Sequence, residues 1–164
     1  MTTASGSRRR GGSATMRVTI AFLMLAAATG VEAFDRAALQ MLQTEGGCPG
    51  CDLRDADLRA GEFDGGDFRK ADLSGADLTE VVLVDAVLDG AKLRGADLTD
   101  AMLVNARMRG VDLSGATLVR TMLDGVDLTG AIGLTQAQLA ETCDQGAGDR
   151  ATVLPAGLAL IPCD

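Results

Sequence analysis

Cysteine is the residue type in this sequence best suited to covalent or metal chemistry. Two of the four cysteines form the motif Cys48-Pro49-Gly50-Cys51, and the others are Cys143 and Cys163. A CxxC motif can act as a redox pair in a thioredoxin-like βαβ unit, but no such pattern surrounds this one. No histidine follows Cys51, which excludes c-type haem attachment. The chemistry of these cysteines therefore depends on the elements that position them.

The remaining composition excludes several functions. Histidine, tryptophan and tyrosine are absent, and there are only four phenylalanines. The chain therefore has no histidine for acid–base or metal chemistry and no aromatic platform on which single-stranded bases could stack. We accordingly expect that the protein is not an enzyme and that it has no cofactor and no metal site.

The first 33 residues have the order of a secretory signal peptide. A basic region precedes the apolar residues 18–30, and Val31-Glu32-Ala33 places small side chains before Phe34. We predict cleavage there and export to the periplasm or the exterior. An uncleaved anchor or a buried helix is the alternative, and Met16 is an alternative start. The apolar stretch is shorter than the ~20 residues of a membrane span, so no membrane association is expected after cleavage.

Removal of residues 1–33 makes the chain more acidic. These residues hold four of the 15 basic and one of the 23 acidic side chains, which leaves 11 basic and 22 acidic residues and a formal net charge of −11. A domain of this charge repels nucleic acid and anionic lipid. We therefore expect neither to be a partner.

A five-residue repeat runs through the centre of the chain. Every fifth residue is large and apolar, and a small residue stands two positions before each one. A helix of period 3.6 or a strand of period 2 would scatter this pattern over several faces. A backbone that turns a corner every five residues instead points both residues inward and leaves the other three to water. The sixteen large residues are Leu53, Leu58, Phe63, Phe68, Leu73, Leu78, Leu83, Leu88, Leu93, Leu98, Leu103, Met108, Leu113, Leu118, Leu123 and Leu128.

The repeated pattern, as in Ala71-Asp72-Leu73 and Ala96-Asp97-Leu98, resembles the pentapeptide-repeat family. The resemblance implies an all-β solenoid, namely a right-handed quadrilateral parallel β-helix with four pentapeptides per coil and about four coils. Residues 48–132 would form this domain, as a rod ~19 Å long at ~4.8 Å per coil. Glycine occupies eight of the sixteen corner positions, which suits a tight bend or a positive φ.

Stacked coils expose their core at both ends and need caps. Residues 34–47 predict an N-terminal capping helix from Asp35 to Glu45. Residues 133–164 predict a C-terminal cap, with a helix over 135–142 that has Thr135 as its N-cap and an irregular apolar segment over 151–162 that packs on the last coil. The apolar side of the first helix would be Ala38, Leu39, Met41 and Leu42.

The implied rod length restricts how the cysteines can pair. It separates Cys48 and Cys51 from Cys143 and Cys163 by most of ~19 Å, whereas a disulfide requires Cα atoms within ~7 Å. We therefore favour a Cys143–Cys163 disulfide. Cys48 falls at the central position of the repeat, where the large apolar residues stand, and Cys51 falls at the small inward position. This indicates either a second disulfide or two buried thiols.

Residues twenty apart stack on one face of such a rod. This aligns Asp57, Asp77 and Asp97 on one face, and Asp52, Asp72, Lys92 and Asp112 on another. We expect the carboxylates to bond to the local backbone, with cation binding or imitation of a DNA phosphate track as the alternatives. The fourth face should carry solvated ion pairs among Arg69, Arg107, Arg109, Asp67, Asp89 and Asp127.

The third face differs because its outward positions are apolar where the motif normally has polar residues. Patches of this kind commonly mark interaction sites. We predict a surface for a protein partner or for a homodimer, and cover by the C-terminal tail or no role at all is the alternative. The residues of this candidate interaction patch are Val82, Val84, Met102, Val104 and Met122.

These observations lead to three hypotheses about function. We favour a non-enzymatic exported scaffold or protein-binding module. The first alternative is an acidic DNA mimic that inhibits or protects a nucleic-acid enzyme, which the resemblance suggests because some family members act in this way. A short rod and export both oppose it. The second alternative is a thiol-redox protein that acts through Cys48 and Cys51.

Overall fold

The computed structural model describes residues 36–142 and 151–160, and its backbone is a stack of square coils. Each side of a coil pairs in parallel with the side twenty residues later, as Asp52 does with Asp72 and Asp72 with Lys92. This spacing holds from Asp52 to Ile132, so each turn has four sides of five residues. The predicted signal peptide, the predicted start of the first helix at Asp35, and both Cys143 and Cys163 lie outside the described residues.

The sides of the coils are single-residue bridges rather than continuous strands. The Leu53 N–H donates to the Asp72 carbonyl at 2.8 Å, and the Asp72 N–H donates to the Cys51 carbonyl at 2.9 Å. Each corner is a β-turn, in which the Ala56 N–H donates back to the Leu53 carbonyl at 3.2 Å. Most residues of each side belong to these turns, so only one residue per side forms a parallel β-bridge.

Every corner from residue 55 to residue 130 places its third turn residue in the left-handed region, with φ between 51° at Ala60 and 71° at Gly75. This is the position of a type II turn that favours glycine. Eight of the sixteen corners have glycine, in agreement with the prediction. The remaining eight have an L-residue, which adopts this φ at a cost of ~1–2 kcal/mol. The other eight are Asp55, Ala60, Lys70, Glu80, Asp85, Asp100, Asn105 and Arg120.

The interior of the rod is filled by the large residues of the repeat. Leu73, Leu93 and Leu113 lie one above another in consecutive coils, and each is at most 1% exposed. All sixteen predicted core residues are buried. The rings of Phe63 and Phe68 meet edge to face with their centroids 5.5 Å apart, a favourable arrangement for aromatic side chains. Burial of this stack is the main source of stability, at ~1.5–3 kcal/mol for each leucine.

Helix α1 (Arg36–Glu45) closes the N-terminal end of the rod. Its Ala38 and Leu42 are buried and Met41 packs on the core, while the side chain of Leu39 lies outside the described set. The helix ends at Glu45, and Gly46 follows it with a positive φ of 65°, which is typical of the residue after a helix C-terminus. Gly47, the next residue, allows a close backbone contact, because a Cβ at this position would lie 2.4 Å from the backbone nitrogen of Asp67. The chain can therefore pack directly on the first coil.

Helix α2 (Gln136–Leu139) lies at the C-terminal end and is shorter than the predicted helix over 135–142. Thr135 is its N-cap and forms a capping box with Gln138. The helix stops after one turn because the Glu141 carbonyl accepts the Arg120 N–H at 2.7 Å. The chain thus continues the ladder of the coil below instead of extending the helix.

Residues 151–160 extend the fourth face of the rod. Val153 pairs with Asp127 as a residue of a further coil would, and the Leu128 N–H donates to the Val153 carbonyl at 2.8 Å. The Thr152 hydroxyl donates to the Leu123 carbonyl at 2.8 Å and accepts from the Gly125 N–H at 3.0 Å. The described part of the tail therefore lies on the last coil. Neither described segment contains a helix long and apolar enough to cross a membrane.

Candidate functional site

Cys48 and Cys51 lie at the N-terminal end of the rod, under α1. The Cys48 N–H donates to the Asp67 carbonyl at 2.8 Å, which gives Cys48 the central position that its register predicts. Cys48 is 0% exposed, Cys51 is half-buried, and the structure joins their sulfur atoms with Cα atoms 5.6 Å apart. Met41 of α1 contacts the Cys48 sulfur at 4.0 Å. This pair links two residues at the junction between α1 and the first coil. The Cys143–Cys163 pairing stays a prediction.

The aspartates of the first and second faces bond to the backbone two residues further on. The Ser74 N–H donates to Asp72 at 3.2 Å and the Thr99 N–H donates to Asp97 at 2.9 Å, and the hydroxyl of each of these residues donates to the same carboxylate at 2.6 Å. This is the local role that the sequence predicts. Within residues 36–142 and 151–160, no group of three or more cysteines or carboxylates is placed to hold a metal ion.

The carboxylates of the fourth face form the predicted ion pairs. Arg107 bonds to Asp89 at 2.7 Å, and Arg109 bonds to Asp127 at 2.6 Å. The hydroxyl of Thr129, and after it Arg109, lowers the pKa of Asp127 from 3.8 to about 2. Ion pairs between solvent-exposed groups contribute little stability each. These contacts therefore fix where the surface charges lie but add little to the stability of the fold.

The third face brings the five predicted apolar residues together. Val82 pairs with Met102 and Met102 with Met122 in consecutive coils, while Val84 and Val104 form the neighbouring column. Met102 is 37% exposed and the other four are half-buried. This third-face patch is two columns wide and three coils tall, which corresponds to ~7 Å between columns and ~10 Å along the rod.

Four exposed carboxylates border the third-face patch. Glu62 pairs with Val82 from the coil below, and Asp64 lies below Val84. Glu80 and Asp85 lie at the two corners that flank the side with both valines. None of the four takes part in the nine ion pairs of the described residues. The five-residue period predicts where these carboxylates lie but not whether an arginine reaches them, so the sequence did not reveal this acidic rim.

The C-terminal margin of the third-face patch is covered. Asp124, the next residue in the column of Val84 and Val104, is only 1% exposed. Thr152 of the described tail bonds to this margin, at Leu123 and Gly125. Met102 nevertheless stays accessible, so cover by the described tail is limited to one end of the patch.

Comparison with known proteins bears on the repeat itself. Residues 48–75 and 91–130 match the family model of pentapeptide repeats in eight copies. The chain belongs to the pentapeptide-repeat family. The two matched stretches flank residues 76–90, which keep the inward leucines but carry Val82 and Val84 at outward positions. The interval that departs from the family pattern is therefore the one where the third-face patch begins.

Solved structures of pentapeptide-repeat proteins are similar to this chain. Rfr23 from the cyanobacterium Cyanothece 51142 is 25% identical over 73% of this chain and 98% of its own, with a TM-score of 0.53. This likeness supports the predicted right-handed quadrilateral β-helix. HetL, which is involved in heterocyst differentiation regulation in Nostoc sp. strain PCC 7120, is 37% identical over 53% of this chain, with a TM-score of 0.45.

The functions of these relatives belong to other chains. This chain spans 44% of the length of HetL. QnrB1, a plasmid-mediated fluoroquinolone resistance protein, is 20% identical over 56% of this chain and 47% of its own, with a TM-score of 0.30. No curated protein sequence matches the chain. The comparisons thus establish the family, and function has to be argued from the surface of this molecule.

Proposed function

We propose that this pentapeptide-repeat protein is a non-enzymatic, exported module that binds another protein through the third-face patch. The carrying observation is the continuous apolar column of Val82, Met102 and Met122 on one flat side of the rod. The same positions on the other three sides hold mainly charged residues. Apolar groups that cluster on one side of a soluble protein commonly mark a contact surface.

Export is the second part of the proposal. It is supported by the basic region, the apolar residues 18–30 and the small residues Val31 and Ala33 that follow them. The even number of cysteines fits an oxidising compartment. The distribution of a C-terminally tagged chain between cytoplasm, periplasm and medium tests this part, and accumulation in the cytoplasm with residues 1–33 attached would contradict it.

Site-specific cross-linking tests the surface. A photoreactive residue would replace Met102 in one variant and Val87 in a matched control, because Val87 occupies the equivalent outward position on the fourth face. We expect defined adducts from position 102 and none from position 87. An adduct of twice the chain mass would identify a homodimer. Equal adducts from both positions would show that the patch is not a binding surface.

An acidic DNA mimic is the second candidate, favoured by the aligned carboxylates of the first and second faces. The negative charge of these aligned carboxylates is partly neutralised, because Lys92 bonds to Asp72 at 3.0 Å and Arg59 contacts both Asp57 and Asp77. A supercoiling assay with the exported protein separates the two candidates. Inhibition or protection of a topoisomerase would favour mimicry, whereas an inert protein would leave the third face as the functional surface.

A further inference from the structure

We propose that the partner segment bound by the third-face patch is a cationic amphipathic helix that lies along the axis of the rod. This inference rests on the function proposed above and specifies the chemistry of the partner. It follows from the size of the patch, the spacing of its side chains and the acidic rim formed by Glu62, Asp64, Glu80 and Asp85.

The size of the patch favours a single segment over a second folded surface. Stable protein–protein interfaces bury ~800 Å² on each partner. The patch measures only ~7 by ~10 Å between side-chain positions, and four of its five residues are already half-buried. Two copies of this chain packed through the patch alone would therefore associate weakly. An α-helix, ~10 Å wide with its side chains, covers the patch fully.

The spacing along the rod matches a helix. Val82, Met102 and Met122 follow one another in consecutive coils, at ~4.8 Å per coil. The pitch of an α-helix is ~5.4 Å. Two helical turns with apolar residues at positions i, i+3, i+4 and i+7 therefore span the three coils, and this stripe can lie along the two columns of the patch. The methionines have flexible side chains that can absorb the small mismatch.

The rim determines the charge of the helix. Glu62 and Asp64 lie at the N-terminal end of the two columns, and Glu80 and Asp85 lie at the corners beside them. Arg120, at the corner between the second and third faces, is bound to Asp100 and does not neutralise the rim. Lysine or arginine one turn beyond the apolar stripe of the partner would meet Glu62 and Asp64. An acidic helix or an anionic lipid surface would be repelled.

Peptide binding to the purified exported protein tests this inference. The probe is a fluorescent 15-residue helical peptide with leucines at i, i+3, i+4 and i+7 and with two arginines at one end. Its partner probe has glutamates in place of the arginines. We expect the arginine peptide to bind about tenfold more tightly at low salt, since exposed ion pairs are individually weak. The difference should shrink as salt is raised, because salt screens exposed charges.

Two variants assign the binding to the patch and its rim. Glu62→Gln with Asp64→Asn should remove most of the difference between the peptides. The matched control, Asp55→Asn with Asp57→Asn, removes the same charge from exposed positions on the second face and its corner with the first face, and should bind as wild type does. Met102→Asp should abolish binding of the apolar stripe.

The outcomes separate this inference from the proposed function. Equal affinity for both peptides, no measurable binding of either, or an unchanged preference in the Glu62→Gln, Asp64→Asn variant would overturn the cationic helix. If cross-linking at position 102 still gave specific adducts in that case, the binding function would stand with a different partner. Loss of those adducts would overturn the function itself.

Discussion

A Cβ atom on Gly61 would lie 2.4 Å from Cε2 of Phe63. Gly61 holds the small inward position and Phe63 the large one that follows it, so the ring occupies the space that an alanine methyl fills elsewhere in the repeat. The same relationship joins Gly66 to Phe68, with a Cβ-to-ring distance of 2.8 Å. The two inward glycines are thus the two that precede phenylalanine, and each makes room for the larger ring.

Gly61→Ala should therefore destabilise the protein by ~1–3 kcal/mol through overpacking. Gly61 does not have a positive φ, so backbone strain does not contribute. In the Gly61→Ala, Phe63→Leu double variant the side has the ordinary alanine–leucine pair and most of the loss should be recovered. Urea unfolding of the four proteins of this cycle measures the coupling. Strictly additive effects would show that the two positions do not share one volume.

The corners allow the cost of the left-handed conformation to be measured. Ala60 has a φ of 51° and Gly95 a φ of 65°, and a Cβ on Gly95 would meet nothing within 4 Å. We expect Ala60→Gly to stabilise the protein by ~0.5–1 kcal/mol and Gly95→Ala to destabilise it by a similar amount. Thermal unfolding of both variants provides the measurement. Changes of the same sign would contradict the assignment to backbone conformation.

Asp127 should make stability depend on pH. Its pKa in the folded protein is about 2, below the value of 3.8 for the free side chain. Its carboxylate therefore stabilises the fold above pH ~4, and this contribution is lost as the pH falls from ~4 to ~2. Asp127→Asn should lower the free energy of unfolding at pH 7 by ~1 kcal/mol or less, because the group is screened by solvent, and should flatten that acid decline.

Urea unfolding between pH 2 and neutrality tests the prediction for Asp127. Asp64→Asn is the control, because Asp64 is exposed and has no ion pair among the described residues. It should unfold as wild type does. An acid decline that is identical in wild type and Asp127→Asn would contradict the assignment.

The cysteine pair under α1 should be structural. In a Cys143→Ser, Cys163→Ser variant, the exported protein should have no titratable thiol, and its mass should lie two hydrogen atoms below that of the reduced form. Because the loop is short, reduction should cost only ~2 kcal/mol. After reduction, the Cys48 thiol should react slowly since it is buried. Two rapidly titrating thiols in the native protein would instead support the redox alternative.

The register of the rod could be predicted from the sequence because one period places every side chain. A period of five with four sides puts Leu73 under Leu93, and it also assembles the third-face patch. The caps follow no such rule. Val153 pairs with Asp127 at a separation of 26 residues rather than twenty, and the chain between them forms α2. No spacing in the sequence reveals that contact.

Side-chain partners are the other part that the sequence leaves open. Arg54 bonds to Asp52 in its own coil, whereas Arg120 reaches Asp100 in the coil below. Both arginines stand on outward positions, and their long side chains can turn along the side or along the axis. Because the period does not decide between these directions, only the structure shows that the four carboxylates around the third-face patch join no ion pair of the described residues.

The strict pairing of residues twenty apart also constrains how this protein can change in length. Each coil bonds only to the coils directly above and below it, as in other solenoids. A duplication or loss of twenty residues, such as 91–110, keeps each side aligned with the sides above and below it. It lengthens or shortens the rod by one coil. An indel of five residues instead rotates one terminal cap by a quarter turn against the other. Insertions and deletions inherited in this lineage should therefore fall into multiples of a full circuit.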